Sequence, residues 1–88
     1  MIFACAAAVL VLPQVSQAKP VGVTMAQARA IALHVAPGRV EKSEREREGG
    51  GFRYSFDIRQ GNRIHEIGVD VVTGKIVEDK FEALNARD

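Results

Sequence analysis

His34 and His65 are the only histidines of this sequence, and they are its only imidazoles for a metal ion or a proton transfer. A metal site needs three or four convergent ligands. His34 falls near the end of a helical pattern, where a cation suits the helix dipole. His65 falls in an extended pattern beside Glu66. A small-ligand or metal sensor built on His34 and His65 is therefore an alternative reading. A structural or surface histidine at each position is the plainer one, and no cofactor is expected. A hydrolase triad is not supported either. The single cysteine is Cys5, and beyond Ala18 the only serines are Ser43 and Ser55. Ser55 stands between two charged positions, Arg53 and Asp57, with no histidine near it in sequence. Gly49-Gly50-Gly51 lacks the Lys-Ser/Thr of a phosphate loop and does not open a helix. No enzymatic activity is expected.

What remains is charge at the surface. Glu44-Arg45-Glu46-Arg47-Glu48 alternates in sign, and Arg53, Arg59 and Arg63 follow, with Asp57 and Glu66 among them. The bland reading is a solvated face, or protection against edge-to-edge strand pairing. The functional reading is an edge that adds to a partner's strand or to an extended peptide. Arginine suits that role, because its planar fork makes bidentate contacts with carboxylates. The candidate partner-binding residues are thus Arg45, Arg47, Arg53, Arg59 and Arg63. No catalytic or metal-binding residue is assigned.

These side chains need elements to position them. Thr24 has the character of a helix N-cap, and Gln27 stands three residues on, as a capping box requires. Ala28, Ile31, Ala32 and Val35 form one apolar stripe, which Met25 extends by a turn. Pro37-Gly38 closes the pattern, so a helix is expected over about 25–36. "RVEKSEREREGGG" reads two ways. As a helix it has the favourable pair Glu41 and Arg45; as a strand it is charged on both faces beyond Val40. "FRYSFDIR" is plainly a strand, with Phe52, Tyr54, Phe56 and Ile58 alternating against Arg53, Ser55, Asp57 and Arg59. That alternation places Arg53 and Arg59 on the sheet face a helix leaves open, and Arg63 on or near it. The next strand spans about 63–72, with His65, Ile67, Val69 and Val71 on one face. Thr73-Gly74 turns the chain, since glycine permits the positive φ of a tight turn. A last strand runs from Ile76 to Phe81, and "EALNARD" forms a frayed tail or a short helical turn. The fold class is α+β: one N-terminal helix packed on a small antiparallel sheet of about three to four strands.

The bulk composition suits one small domain. The chain has 88 residues, 26% of them charged and 47% hydrophobic, with a net charge of +1. That balance argues against a dedicated nucleic-acid binder and against long-range attraction to a membrane surface. The aromatic residues are too few for a base-stacking platform and read as core. Residues 1–18 differ from the rest in having no charged side chain. Their apolar run is shorter than the roughly 20 residues that cross a bilayer. Pro13 and Ser16-Gln17-Ala18 follow it, which reads as the end of a secretory signal cleaved after Ala18. A basic residue ahead of the run is missing. The expected organisation is a signal over 1–18 and a single domain over 19–88, with its core at about 23–81. The location that follows is periplasmic or secreted, with no stable membrane span in the mature chain. Cys5 precedes the cleavage point, so the mature domain has no disulfide.

Taken in order, these motifs resemble the PepSY domain family. The family features are an alanine-rich opening helix closed by Pro-Gly-x-Val, and a final "VD…TG" hairpin. Here they are Ala28, Ala32, Pro37, Gly38 and Val40, then Val69, Asp70, Thr73, Gly74, Lys75 and Ile76. The resemblance covers about Val23 to Phe81. It implies that "RVEKSERERE" is the first strand; this stretch departs from the family pattern in being poor in apolar residues, so an edge position or a frayed end is expected. It also implies a non-enzymatic exported module that binds and restrains a peptidase or regulates another envelope protein. It carries no catalytic residue and no defined binding residue. Self-association through the open sheet face is a third, purely structural reading.

Overall fold

The computed structural model describes residues 21–83. The expected signal over 1–18, Cys5 and the last residues of the tail lie outside the described residues. Helix α1 spans Met25–Val35. Its start is the expected capping box: Gln27 N donates to Thr24 Oγ1 at 3.1 Å, and Thr24 N donates to Gln27 Oε1 at 2.9 Å. At its end Ala36 N still donates to Ala32 O, at 2.8 Å, before Pro37 breaks the ladder.

Four strands follow: β1 Arg39–Glu48, β2 Gly51–Gln60, β3 Arg63–Asp70 and β4 Ile76–Phe81. They form one antiparallel sheet in the order β1-β2-β3-β4. The α+β class and the strand count agree with the sequence. The ambiguous charged stretch is a strand, paired with β2 from Arg39↔Arg59 to Glu48↔Gly51. A register shift between Val40 and Lys42 marks Glu41 as a bulge position.

The core lies between α1 and the two central strands. Tyr54, Phe56 and Ile58 of β2 stand opposite Val69, Ile67 and His65 of β3, so all six side chains point to the helix side. Phe56, Ile58, Ile67 and Val69 are the largest fully buried residues. The helix meets them with Ala28, Ala32 and Ala36, all fully buried. The expected stripe is thus corrected at one position: Val35 is 41% exposed, and Ala36 takes the next place against the sheet. Small side chains let the helix axis come close. Gly38 shows the same closeness, since a Cβ there would sit 2.3 Å from the Arg59 carbonyl oxygen.

The "VDVVTGKIV" hairpin is built around one carboxylate. Asp70 Oδ1 accepts from Val72 N and Thr73 N, both at 2.8 Å. Gly74 N donates to Asp70 O at 2.9 Å, and Gly74 has φ 73°, which only glycine adopts freely. The backbone bond from Thr73 holds the Asp70 carboxyl below its usual range, against a smaller opposing effect of desolvation. The same corner anchors the segment before the helix. Val23 N donates to Val71 O at 2.8 Å, and the Tyr54 hydroxyl donates to Val23 O at 2.9 Å.

Candidate functional site

Strand alternation divides the charged residues between two faces. Arg45 and Arg47 stand opposite Tyr54 and Phe52, so they point to the helix side. Glu44, Glu46 and Glu48 point to the open side, opposite Ser55, Arg53 and Gly51. The β1 edge therefore carries arginine on one side and glutamate on the other. Helix α1 packs mainly against β2 and β3, and beyond the half-buried Val40 and Glu46 the side chains of β1 are exposed.

On the helix side, Arg45 lies over the Phe52 ring with its guanidinium 4.1 Å from the centroid, and Arg47 approaches the same ring at 5.8 Å. Phe52 is 42% exposed, which makes a cation-aromatic patch at the rim of the sheet. On the open side, Lys42 Nζ lies 3.1 Å from Glu44, and the Ser55 hydroxyl donates to Glu46. The hydrogen bond to Glu44 raises the Lys42 pKa. Arg53 is largely enclosed by Glu78 at 3.3 Å and Glu48 at 3.9 Å. Arg59 pairs with Glu41, which also holds Arg39 at 3.0 Å. Hydrogen bonds from Arg59 and then Arg39 keep the Glu41 carboxyl below its usual range.

The middle of the open face is acidic. A depression of about 160 Å³ is lined by five carboxylates, Glu44, Glu46, Asp57, Glu66 and Glu78, against a single cation, Lys42. Burial raises the Glu66 pKa; Lys80 opposes that, and Asp57 and Glu78 add to it. A face pictured from the sequence as arginine-rich is thus acidic at its centre, and its two arginines are already paired.

Arg63 needs a correction. It stands opposite Gln60 and lies with its guanidinium 3.6 Å from the Phe81 centroid, on the helix side of the sheet. His65 stacks on the same Phe81 ring, with centroids 4.2 Å apart. The five candidate arginines therefore do not form one surface. Arg53 and Arg59 share the open face in ion pairs, Arg63 belongs to the Phe81 stack, and only Arg45 and Arg47 stand together at an exposed edge.

His65 is buried, with a partner at each ring nitrogen. Gln60 Nε2 donates to Pro37 O at 2.9 Å, which turns Gln60 Oε1 toward His65 Nδ1 at 3.2 Å. The other ring nitrogen contacts Asp79. Among the described residues no group of three or more His, Cys, Asp or Glu side chains is arranged to hold a metal ion. The sequence reading missed Asp79 and Phe81 as partners of His65. The register shift in the β3–β4 pairing between Gly68 and Val69 changes the phase of β4, and no local pattern reveals it.

A helix on one face of a four-stranded antiparallel sheet, with a long charged edge and an acidic open face, defines a small α+β module. The chain belongs to the PepSY family: the family model described as "Peptidase propeptide and YPEB domain" matches residues 22–80. No curated protein and no solved structure gives a match. No helix among the described residues is long and apolar enough to cross a membrane.

Proposed function

We propose that this chain is an exported, non-enzymatic binding module that inhibits or otherwise regulates a peptidase or another envelope protein. The family description, which names peptidase propeptides, supports the restraining role. The uncharged apolar run of residues 1–12 and the small residues near Ala18 support export. The observation that carries the reading is β1. It is a 10-residue strand with no fully buried side chain, and among the described strands it pairs only with β2. Such an edge offers a partner a ladder of backbone groups.

The test is capture from an envelope fraction with the full chain as bait, followed by an activity assay. A recovered peptidase whose turnover falls as the chain is added supports the proposal. Recovery of the bait alone, or of a peptidase whose turnover is unchanged, counts against restraint. Arg45→Glu together with Arg47→Glu is expected to weaken capture without unfolding the domain. Undiminished capture would remove the β1 edge as the contact.

A further inference from the structure

The distribution of charge across β1 says what kind of strand this edge accepts and what kind it refuses. Its acidic side carries Glu44, Glu46 and Glu48, with Lys42 paired to Glu44 at one end, and its basic side carries Arg45 and Arg47. Two copies joined through antiparallel β1 strands are related by a two-fold axis perpendicular to the sheet. That axis keeps each face on its own side. In the register centred on Glu46, glutamates then meet glutamates across the join, and Arg45 meets Arg47 of the second copy. Like charges directly opposite one another destabilise a ladder. The alternation therefore works against antiparallel pairing of the chain with itself in that register, which uses the whole Glu44–Glu48 stretch.

A foreign strand escapes this conflict if its own alternation is complementary. We infer that the β1 edge receives, in antiparallel orientation, an extended segment of another protein. That segment carries lysine or arginine toward the acidic side and aspartate or glutamate toward the arginine side. Antiparallel to Lys42–Glu48, the matching segment reads Lys-Glu-Lys-Glu-Lys-Thr-Glu from its N-terminus. Its first, third and fifth residues oppose Glu48, Glu46 and Glu44, and its second and fourth oppose Arg47 and Arg45. The Phe52 ring beneath Arg45 holds that guanidinium at the rim, where an incoming carboxylate reaches it. Specificity then resides in side-chain phase and affinity in the backbone ladder. This inference rests on the binding-module reading and names the chemistry of its partner segment.

The experiment is an NMR titration of the full chain with two capped peptides of identical composition. One is Lys-Glu-Lys-Glu-Lys-Thr-Glu, and the other is the block sequence Lys-Lys-Lys-Thr-Glu-Glu-Glu. Equal net charge removes bulk attraction as a variable. Saturable shifts of the Arg39–Glu48 amides are expected with the alternating peptide, and binding at least about fivefold weaker with the block peptide. Arg45→Glu with Arg47→Glu is expected to weaken the alternating peptide about tenfold. Equal response to both peptides, or shifts away from β1, would overturn the inference. So would sedimentation of the full chain as a β1-paired dimer. A chain that inhibits its peptidase yet ignores both peptides keeps the regulatory proposal and loses this one. Selective peptide binding with no peptidase restrained gives the reverse result.

Discussion

β1 and β2 are the same length, 10 residues each, and they are paired along nearly all of it. They differ in almost everything else. β2 places Tyr54, Phe56 and Ile58 in the core, whereas β1 offers only a half-buried Val40 to its margin. The same ladder thus holds one strand that the fold depends on and one that the fold merely supports. Hydrogen bonding and burial are separable contributions to a sheet, and only the second constrains side-chain type strongly. The sequence of β1 is free of the core, which leaves it open to selection for recognition.

The largest effect that tests this contrast is Phe56→Ala. Deleting a fully buried ring costs about 3–5 kcal/mol, enough to unfold most of a domain this small. Denaturant titration would show it, whereas Arg45→Thr with Arg47→Thr in β1 should move the midpoint by no more than about 1 kcal/mol. A comparable loss from the β1 pair would erase the distinction. Next comes Gly38→Ala, where the added Cβ has no room beside the Arg59 carbonyl. About 1–3 kcal/mol is expected from such overpacking, measured as a lowered melting temperature.

Asp70→Ala should have a smaller and pH-dependent effect. The folded carboxyl sits below its ordinary range, chiefly through the Thr73 backbone bond. Its stabilisation is therefore present above the unfolded pKa and lost as pH falls through the folded one. The gap between wild type and Asp70→Ala is expected to be constant near neutrality and to close in acid, as read by urea titrations across that range. Glu66→Gln is the smallest and has the opposite sign. Burial lifts the Glu66 pKa above 4.5, so its ionisation costs stability as pH rises through the unfolded and then the folded pKa. The variant should be slightly more stable than wild type at pH 7, with the gain vanishing in acid below the unfolded pKa.

The helix and the two central strands were legible because each follows one period. Ala28 and Ala32 repeat at helical spacing, and Tyr54, Phe56 and Ile58 repeat at two. β1 was not legible from its own residues, because charge on both faces leaves no period to read. Its partner β2 imposes the strand. Among the site residues, alternation correctly separated Arg53 and Arg59 from the core. It could not show that both are held in ion pairs, since Glu78 and Glu41 meet them only through cross-strand register and the bulge. Arg63 was misplaced because it directly follows a turn, where the phase of the next strand is not yet set. Once β3 is aligned on Ile67 and Val69, parity returns Arg63 to the helix side.

The anchoring of Val23 has a mechanical consequence. Its amide is bonded to Val71 beside the Asp70 turn, and its carbonyl is bonded to Tyr54 in the middle of the sheet. Tension on the chain ahead of Val23 is therefore passed directly to β2 through Tyr54 and to the Asp70 turn through Val71. β1 lies on the far side of β2 from both of these anchors.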